Sequence, residues 1–394
     1  MDPSRTSWPA VFLAVGAGIV AAFQVGKAPI ALPFIRDEMG LSLSAASWIL
    51  SIFALMGASA GASMGSIVTR LGARRMLPLG LALLAAASLL GSGAPSLMPL
   101  LASRVAEGLG YMLVAISAPA LIALLTHPDQ RQTAFGLWGC FMPVGMAVAM
   151  TAAPALPLVG WRGLWLAMAV LLAAYAVLVH LRMPHPPVPV RDEDDQHLLR
   201  DIIATVKAPG PLILAATFLP YSAAYAALTG FLPTLLIERM AVSPGTAGLM
   251  AAAVTAANIV GNLATGPALR ARLPRRWVMA ASSLVIALCS LGIFLPITTP
   301  EQSYALCLVF SAVGGLLPGC ILGGAAVYAP NRHLVPVALG LIMQGSNLGQ
   351  LLGPVVVGAA VAAWTWPAAA AVLVPASLIG ITLALALRRA GKEP

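Results

Sequence analysis

The chain has 394 residues, of which 60% are hydrophobic and 9% charged, against about a quarter charged in ordinary soluble domains. That composition excludes a soluble globular domain and points to a protein dissolved in a bilayer. The formal net charge of +9 invites a nucleic-acid reading, but the basic residues sit between apolar runs, as membrane topology requires, so no nucleic-acid partner is expected.

Apolar runs of roughly the 20 residues needed to cross a bilayer recur along the chain. In order they lie near 8–33, 45–69, 75–93, 97–125, 132–157 and 162–181. A hydrophilic stretch follows, with a proline cluster at Pro184, Pro186, Pro187 and Pro189 and an acidic run at 192–195. It ends in His197–Ile203, patterned as a short amphipathic helix on the membrane surface. The second series lies near 208–236, 244–267, 276–297, 302–328, 334–361 and 366–387. The expected fold is therefore an all-α membrane protein with twelve transmembrane helices in two pseudo-symmetric six-helix bundles. Residues 1–182 and 208–394 form the bundles, and 183–207 the cytoplasmic linker.

The second series repeats the first. Ala31-Leu32-Pro33 recurs as Phe231-Leu232-Pro233, Ser42 matches Ser243, and Arg74-Arg75 match Arg275-Arg276. Gly136, Leu137 and Gly145 match Gly340, Leu341 and Gly349. Two similar hydrophobic halves are the mark of a secondary transporter, whose substrate sits where the repeats meet. Glycines four apart, Gly57-Gly61-Gly65 and Gly315-Gly319-Gly323, mark faces where helices approach closely.

With the N-terminus inside, seventeen of the 22 Lys+Arg fall in cytoplasmic segments. Both termini are thus expected in the cytoplasm of a bacterial-type inner membrane. The four cysteines, Cys140, Cys289, Cys307 and Cys320, lie in apolar runs without metal-ligand spacing. No metal site, cofactor or catalytic constellation is read, so an enzyme is not expected. A membrane sensor is the nonenzymatic rival, but no soluble output domain accompanies the helices.

Ionisable groups inside a bilayer cost about 2.5–3.5 kcal/mol on insertion scales, which makes Lys27, Arg104 and Glu107 the first candidates for chemistry. Lys27 and Arg104 each lie roughly 10 Å below the outer boundary and could face one cavity; alternatively the long Lys27 stem snorkels outward. Gln24 shares the helical face of Lys27. Glu107 follows Arg104 by three residues, so it is either the partner of a structural ion pair or a proton carrier. In the second half the candidates are neutral: Tyr221, Tyr225, Asn258, Asn262, Gln344 and Asn347. They read as substrate-binding groups or as interhelical hydrogen bonds. Trp138 is a candidate cavity wall. Trp161, Trp165, Trp364 and Trp366 are expected at the interface as anchors.

The loop after the second helix reads Gly65-Ser66-Ile67-Val68-Thr69-Arg70-Leu71-Gly72-Ala73-Arg74-Arg75, and the fourth helix carries Arg104-Val105-Ala106-Glu107-Gly108-Leu109-Gly110. Both resemble signatures of the major facilitator superfamily, and with the repeat the resemblance covers nearly the whole chain. It implies alternating access and assigns Gly65, Arg70, Gly72, Arg74 and Arg75 to the cytoplasmic gate. The family's aspartate is Thr69 here, which removes a carboxylate that latches that gate. Lys27–Pro33 and Trp138–Met146 look like the cyanate and nitroimidazole permease subgroup, which implies a small, often anionic solute. The expected function is a monomeric, proton-coupled secondary transporter with a small-molecule substrate bound near Lys27 and Arg104, Glu107 carrying the proton. A proton-driven exporter of drugs or siderophores is the alternative.

Overall fold

The structure is a computed structural model and describes residues 6–59, 64, 68, 71–184, 198–331 and 334–390. Gly61, Gly65, Thr69, Arg70 and the acidic run at 192–195 lie outside the described residues. The described residues are helical with loops and no strand. The helices are α1 (Trp8–Met39), α2 (Leu43–Ser59), α3 (Ala73–Ser92), α4 (Leu97–Leu125), α5 (Arg131–Gly139 continued by Phe141–Met150) and α6 (Leu156–Arg182). After a linker helix at Leu198–Lys207 come α7 (Pro209–Met240), α8 (Pro244–Arg270), α9 (Arg275–Phe294), α10 (Pro300–Tyr328), α11 (Val335–Trp364) and α12 (Pro367–Ala386). Among the described residues ten helical runs are long and apolar enough to cross a membrane; one, Thr133–Arg182, covers both the fifth and sixth expected spans. Leu43–Ser59 stands where the second is expected.

Helix ends follow local chemistry. Gly40 closes α1 at φ +62°, a left-handed position that suits glycine. Ser42 Oγ accepts from the Ala45 amide at 3.1 Å and Ser243 Oγ from the Thr246 amide at 3.2 Å, so the matched serines start α2 and α8 alike. Helix α6 begins at Leu156, six residues before the expected start, and Gly160, at φ +66°, kinks it near that start. Helix α1 runs past its apolar stretch to Met39, because Glu38 is held there by Trp161 and Arg162.

The chain packs as two compact units. Unit 1 takes the described residues of Met1–Leu41, Ser63–Pro189 and Pro233–Ala252; unit 2 takes those of Ser42–Ala62, Val190–Leu232 and Ala253–Pro394. In unit 1, α3 and α4 touch through Gly80 and Gly110, where a Cβ on either would press the other's carbonyl oxygen at 2.9 and 2.8 Å. The core beside them is aliphatic, built from Val11, Leu77, Leu81, Leu121, Ile122 and Leu172. In unit 2, α8 meets α10 through Gly261, Gly315 and Gly319.

The repeat reappears in the packing of each unit. Gly145 of α5 presses against the Ile19 carbonyl of α1, and Gly349 of α11 presses against the Leu219 carbonyl of α7. Gly136 and Gly340, also matched by the repeat, face open space. Alanine at 145 or 349 should therefore cost about 1–3 kcal/mol of overpacking. Alanine at 136 or 340 should be neutral or stabilising, since it removes only backbone freedom. Thermal unfolding of the four purified variants checks this; equal behaviour of both pairs would refute it.

Candidate functional site

Four charged side chains are buried among the described residues, and three of them meet: Lys27 and Glu107 at 0% exposure and Arg104 at 1%. The fourth, Arg275, is 6% exposed and donates to the Cys320 carbonyl elsewhere. Lys27 leaves α1 and Arg104 and Glu107 leave α4, all in unit 1. The spacing of three residues puts both α4 groups on one helical face, as the sequence requires. Glu107 Oε1 accepts from Lys27 Nζ at 2.8 Å, and Oε2 accepts from Arg104 Nη1. Arg104 Nη1 also donates to the Gln24 carbonyl at 2.8 Å, tying α4 to α1.

The Lys27 ammonium uses its three donors on Gln24 Oε1, Ser88 Oγ (2.7 Å) and Glu107 Oε1. Ser88 Oγ in turn donates to the Trp165 carbonyl at 2.9 Å. The Trp165 ring lies 4.2 Å from Lys27 Nζ, a cation–π contact that is strong when dry. Lys27 is thus enclosed by groups from α1, α3, α4 and α6 and does not snorkel. The Arg104–Glu107 pair exists, but as two thirds of a larger cluster. Two cations share one carboxylate, so the cluster carries a net +1 when all three groups are ionised. Gln24 Nε2 and Trp165 Nε1 are buried without a hydrogen-bond acceptor.

Sequence reasoning does not reach Ser88, and it places Trp165 at the interface. Trp165 is fully buried and Trp161 is 2% exposed, so neither is an interfacial anchor. Trp161 donates to Glu38 at 2.5 Å. Trp366 is also buried and stacks on Phe294 at 6.3 Å, whereas Trp364 is exposed. From the expected start at 162 Trp165 lies three residues in, at the interface; the observed start at Leu156 puts it nine residues into α6, roughly 13 Å along it.

Trp138 stacks on Phe141 at 4.1 Å, and Tyr111 lies 6.4 Å from Phe141. These rings form an aromatic wall in unit 1, with Trp138 pressed against Gly18. In unit 2, Asn258 donates to Tyr221 (3.2 Å) and to the Ser311 carbonyl (3.0 Å), and Asn262 donates to Asn258 Oδ1 at 2.8 Å. Tyr225 stacks on Tyr221 with centroids 5.9 Å apart. Asn347 donates to the Met343 carbonyl and faces Gly57. Gln344 lines an apolar groove with Ala58, Leu212, Leu219, Leu341 and Leu348. The unit 2 residues therefore form two neutral groups, one around Tyr221 and one along α11.

Of the residues expected at the gate, Gly72 takes φ +88° and Arg74 donates to the Met183 carbonyl at 3.0 Å, tying the start of α3 to the end of α6. Gly65 and Arg70 lie outside the described residues.

Two similar series of long apolar helices, with a buried charged cluster in unit 1, define a multi-pass helical membrane protein. The Major Facilitator Superfamily model matches residues 13–335 and 221–394, and the chain belongs to that family. The chain is similar to the galactose–proton symporter of Escherichia coli (strain K12), 28% identical over 170 residues, 43% of this chain and 36% of the symporter. The puromycin resistance protein pur8 of Streptomyces alboniger is 30% identical over 152 residues, 38% of this chain and 30% of that protein. The match thus spans about a third of the length of these curated relatives. A crystal structure of a bacterial homolog of the human lysosomal transporter Spinster, inward-facing and occupied, superposes with a TM-score of 0.81 at 16% identity, covering 100% of this chain and 98% of that one. That likeness shows the fold.

Proposed function

We propose that the chain is a secondary active transporter that moves a small monoanionic organic solute across a bacterial inner membrane, by alternating access and at the expense of a proton gradient. The observation that carries this reading is the excess cation: Lys27 and Arg104 share one carboxylate in a dry site. A net charge held in a buried site is costly, so the cluster favours a visiting anion and disfavours a cation. The resemblance to the cyanate and nitroimidazole permease subgroup supports a small anion, and the galactose–proton symporter supports proton coupling. In this reading residues 1–182 and 208–394 rock about the linker at 183–207, with both termini cytoplasmic and the chain monomeric. Gly65, Arg70, Gly72, Arg74 and Arg75 serve the cytoplasmic gate. Tyr221, Tyr225, Asn258, Asn262, Gln344 and Asn347 meet the uncharged part of the solute, and Trp138 forms a wall. Glu107 belongs to the coupling cluster.

A second reading, proton-driven export of drugs, is favoured by the relative named for puromycin resistance and by the apolar groove beside Gln344. Uptake into proteoliposomes under a pH gradient separates them, with methanesulfonate, benzenesulfonate and cyanate as monoanions, galactose as a neutral solute and ethidium as a cation. One of the monoanions should saturate the wild type. Lys27→Ala removes a charged hydrogen-bond donor worth about 1.5–3 kcal/mol, roughly a 10–100-fold loss of uptake. Equal uptake by wild type and Lys27→Ala would remove Lys27 from the site, and transport of ethidium alone would favour the export reading.

A further inference from the structure

We propose that the coupling proton rides on Lys27 itself, that Glu107 is a fixed counter-charge, and that one proton crosses with each monoanion. This deepens the proposed function and rests on its anion-transport reading. Among the described residues three charged groups face one another in the cluster. From α1 come Lys27 and the neutral Gln24, from α3 Ser88, from α4 Arg104 and Glu107, and from α6 Trp165. Arginine does not give up its proton in proteins, so only two protonation changes are open. Protonating Glu107 leaves two cations and no anion, a charge of +2 in a site that excludes water. Taking the proton from Lys27 leaves the Arg104–Glu107 pair, a charge of zero. A dry site therefore cycles through Lys27.

Gln24 fits both states of Lys27. Its Oε1 now accepts from the ammonium, while its Nε2 is buried without an acceptor. When Lys27 becomes an amine it loses one N–H and gains a lone pair. A half-turn of the Gln24 amide then points Nε2–H at that lone pair and gives the orphan donor its acceptor. The amide thus offers a hydrogen bond to both the cation and the amine.

Anion binding offers the other route to a neutral site, since a monoanion beside a charged Lys27 also sums to zero. The two routes are linked: bound anion keeps the proton on Lys27, and anion release lets the proton go. By thermodynamic reciprocity the proton strengthens anion binding by the same factor. The complex that crosses is neutral, and so is the empty carrier that returns.

The chain contains three lysines, Lys27, Lys207 and Lys392, which makes a direct reading practical. In nanodiscs carrying 13C,15N-lysine, the Lys27 side-chain resonance is identified by its loss in Lys27→Arg. A carrier that turns over near neutral pH requires it to pass from the ammonium to the amine position there, where an ordinary lysine stays charged. A transported sulfonate should move that midpoint upward. In proteoliposomes with a one-unit pH gradient, a one-to-one symporter accumulates sulfonate about tenfold. Lys27→Arg, a cation that keeps its proton, should exchange sulfonate across the membrane without accumulating it. A Lys27 signal that stays at the ammonium position throughout, or undiminished accumulation by Lys27→Arg, overturns the proposal. Wild type that moves none of the monoanions while Lys27 still titrates would sink the transport reading and leave the proton on Lys27.

Discussion

Replacing Glu107 by glutamine is expected to destabilise the folded protein by about 3–5 kcal/mol, whereas replacing Lys27 by methionine should leave its stability unchanged or raise it. Both substitutions nearly keep side-chain volume and both remove one charge, so packing does not distinguish them. Charge does. With Glu107 gone, Arg104 keeps its charge with no counter-ion, whether Lys27 gives up its proton or stands beside it as a second cation. With Lys27 gone, Arg104 and Glu107 remain a neutral pair. Removing one partner of a buried pair leaves an uncompensated charge, while replacing a surplus charge by an apolar group is often neutral or favourable. Arg104 also fixes α4 to the Gln24 carbonyl of α1, so the loss falls on the packing of unit 1. The double variant Glu107→Gln/Lys27→Met removes the second cation and should be more stable than Glu107→Gln alone under acidic conditions that keep the proton on Lys27, an interaction that a double-mutant cycle isolates. Thermal unfolding in detergent reads all three. A Glu107→Gln protein as stable as wild type would mean that water reaches these groups and that the dry-site argument fails.

The helices are legible in the sequence because a bilayer leaves few alternatives: a backbone without water must bond to itself, and long apolar runs have little choice but helix. The misses are instructive in the same terms. Hydropathy separates the fifth and sixth spans but starts the sixth at 162, because the turn at 151–155 and the left-handed Gly160 lie inside one apolar stretch and α6 already begins at Leu156. The pairing of Arg104 with Glu107 follows from helical spacing within α4, because contacts three residues apart are local. Lys27 is recognisable as costly, but its partners Ser88 and Trp165 come from α3 and α6, 61 and 138 positions away, where periodicity says nothing of which faces meet. Trp165 misleads for a physical reason. Tryptophan at a helix start is favoured at the interface, and only packing reveals that its face covers a cation. In the second half, Asn258 and Asn262 show a shared helical face, yet their use on Tyr221 and the Ser311 carbonyl depends on α7 and α10 lying alongside.

Joining Ser47 of α2 to Gly358 of α11 by a disulfide should abolish transport, and reduction should restore it. The pair is placed for such a bond: a Cβ built on Gly358 lies 2.8 Å from the Ser47 Cβ, slightly inside the roughly 3.5–4.5 Å that a disulfide prefers. A small outward shift therefore suffices. Both residues belong to unit 2, but α2 comes from the first repeat and α11 from the second. The start of α8 meets the connection between α5 and α6 in the matching way, with Gly248 on Ala153 and Gly245 on Pro154 in unit 1. Each repeat thus lays the start of its second helix on the other, and a carrier that opens alternately at its two ends must part these contacts once per cycle. A covalent bond holds them shut. In a background with Cys140, Cys289, Cys307 and Cys320 replaced, Ser47→Cys/Gly358→Cys should transport normally when reduced and fall to the empty-vesicle rate when oxidised. Each single variant should be indifferent to oxidant. Undiminished flux through protein shown by mass to be fully crosslinked would mean that these helices never separate, and the rocking of two repeats would give way to a fixed pathway such as a channel.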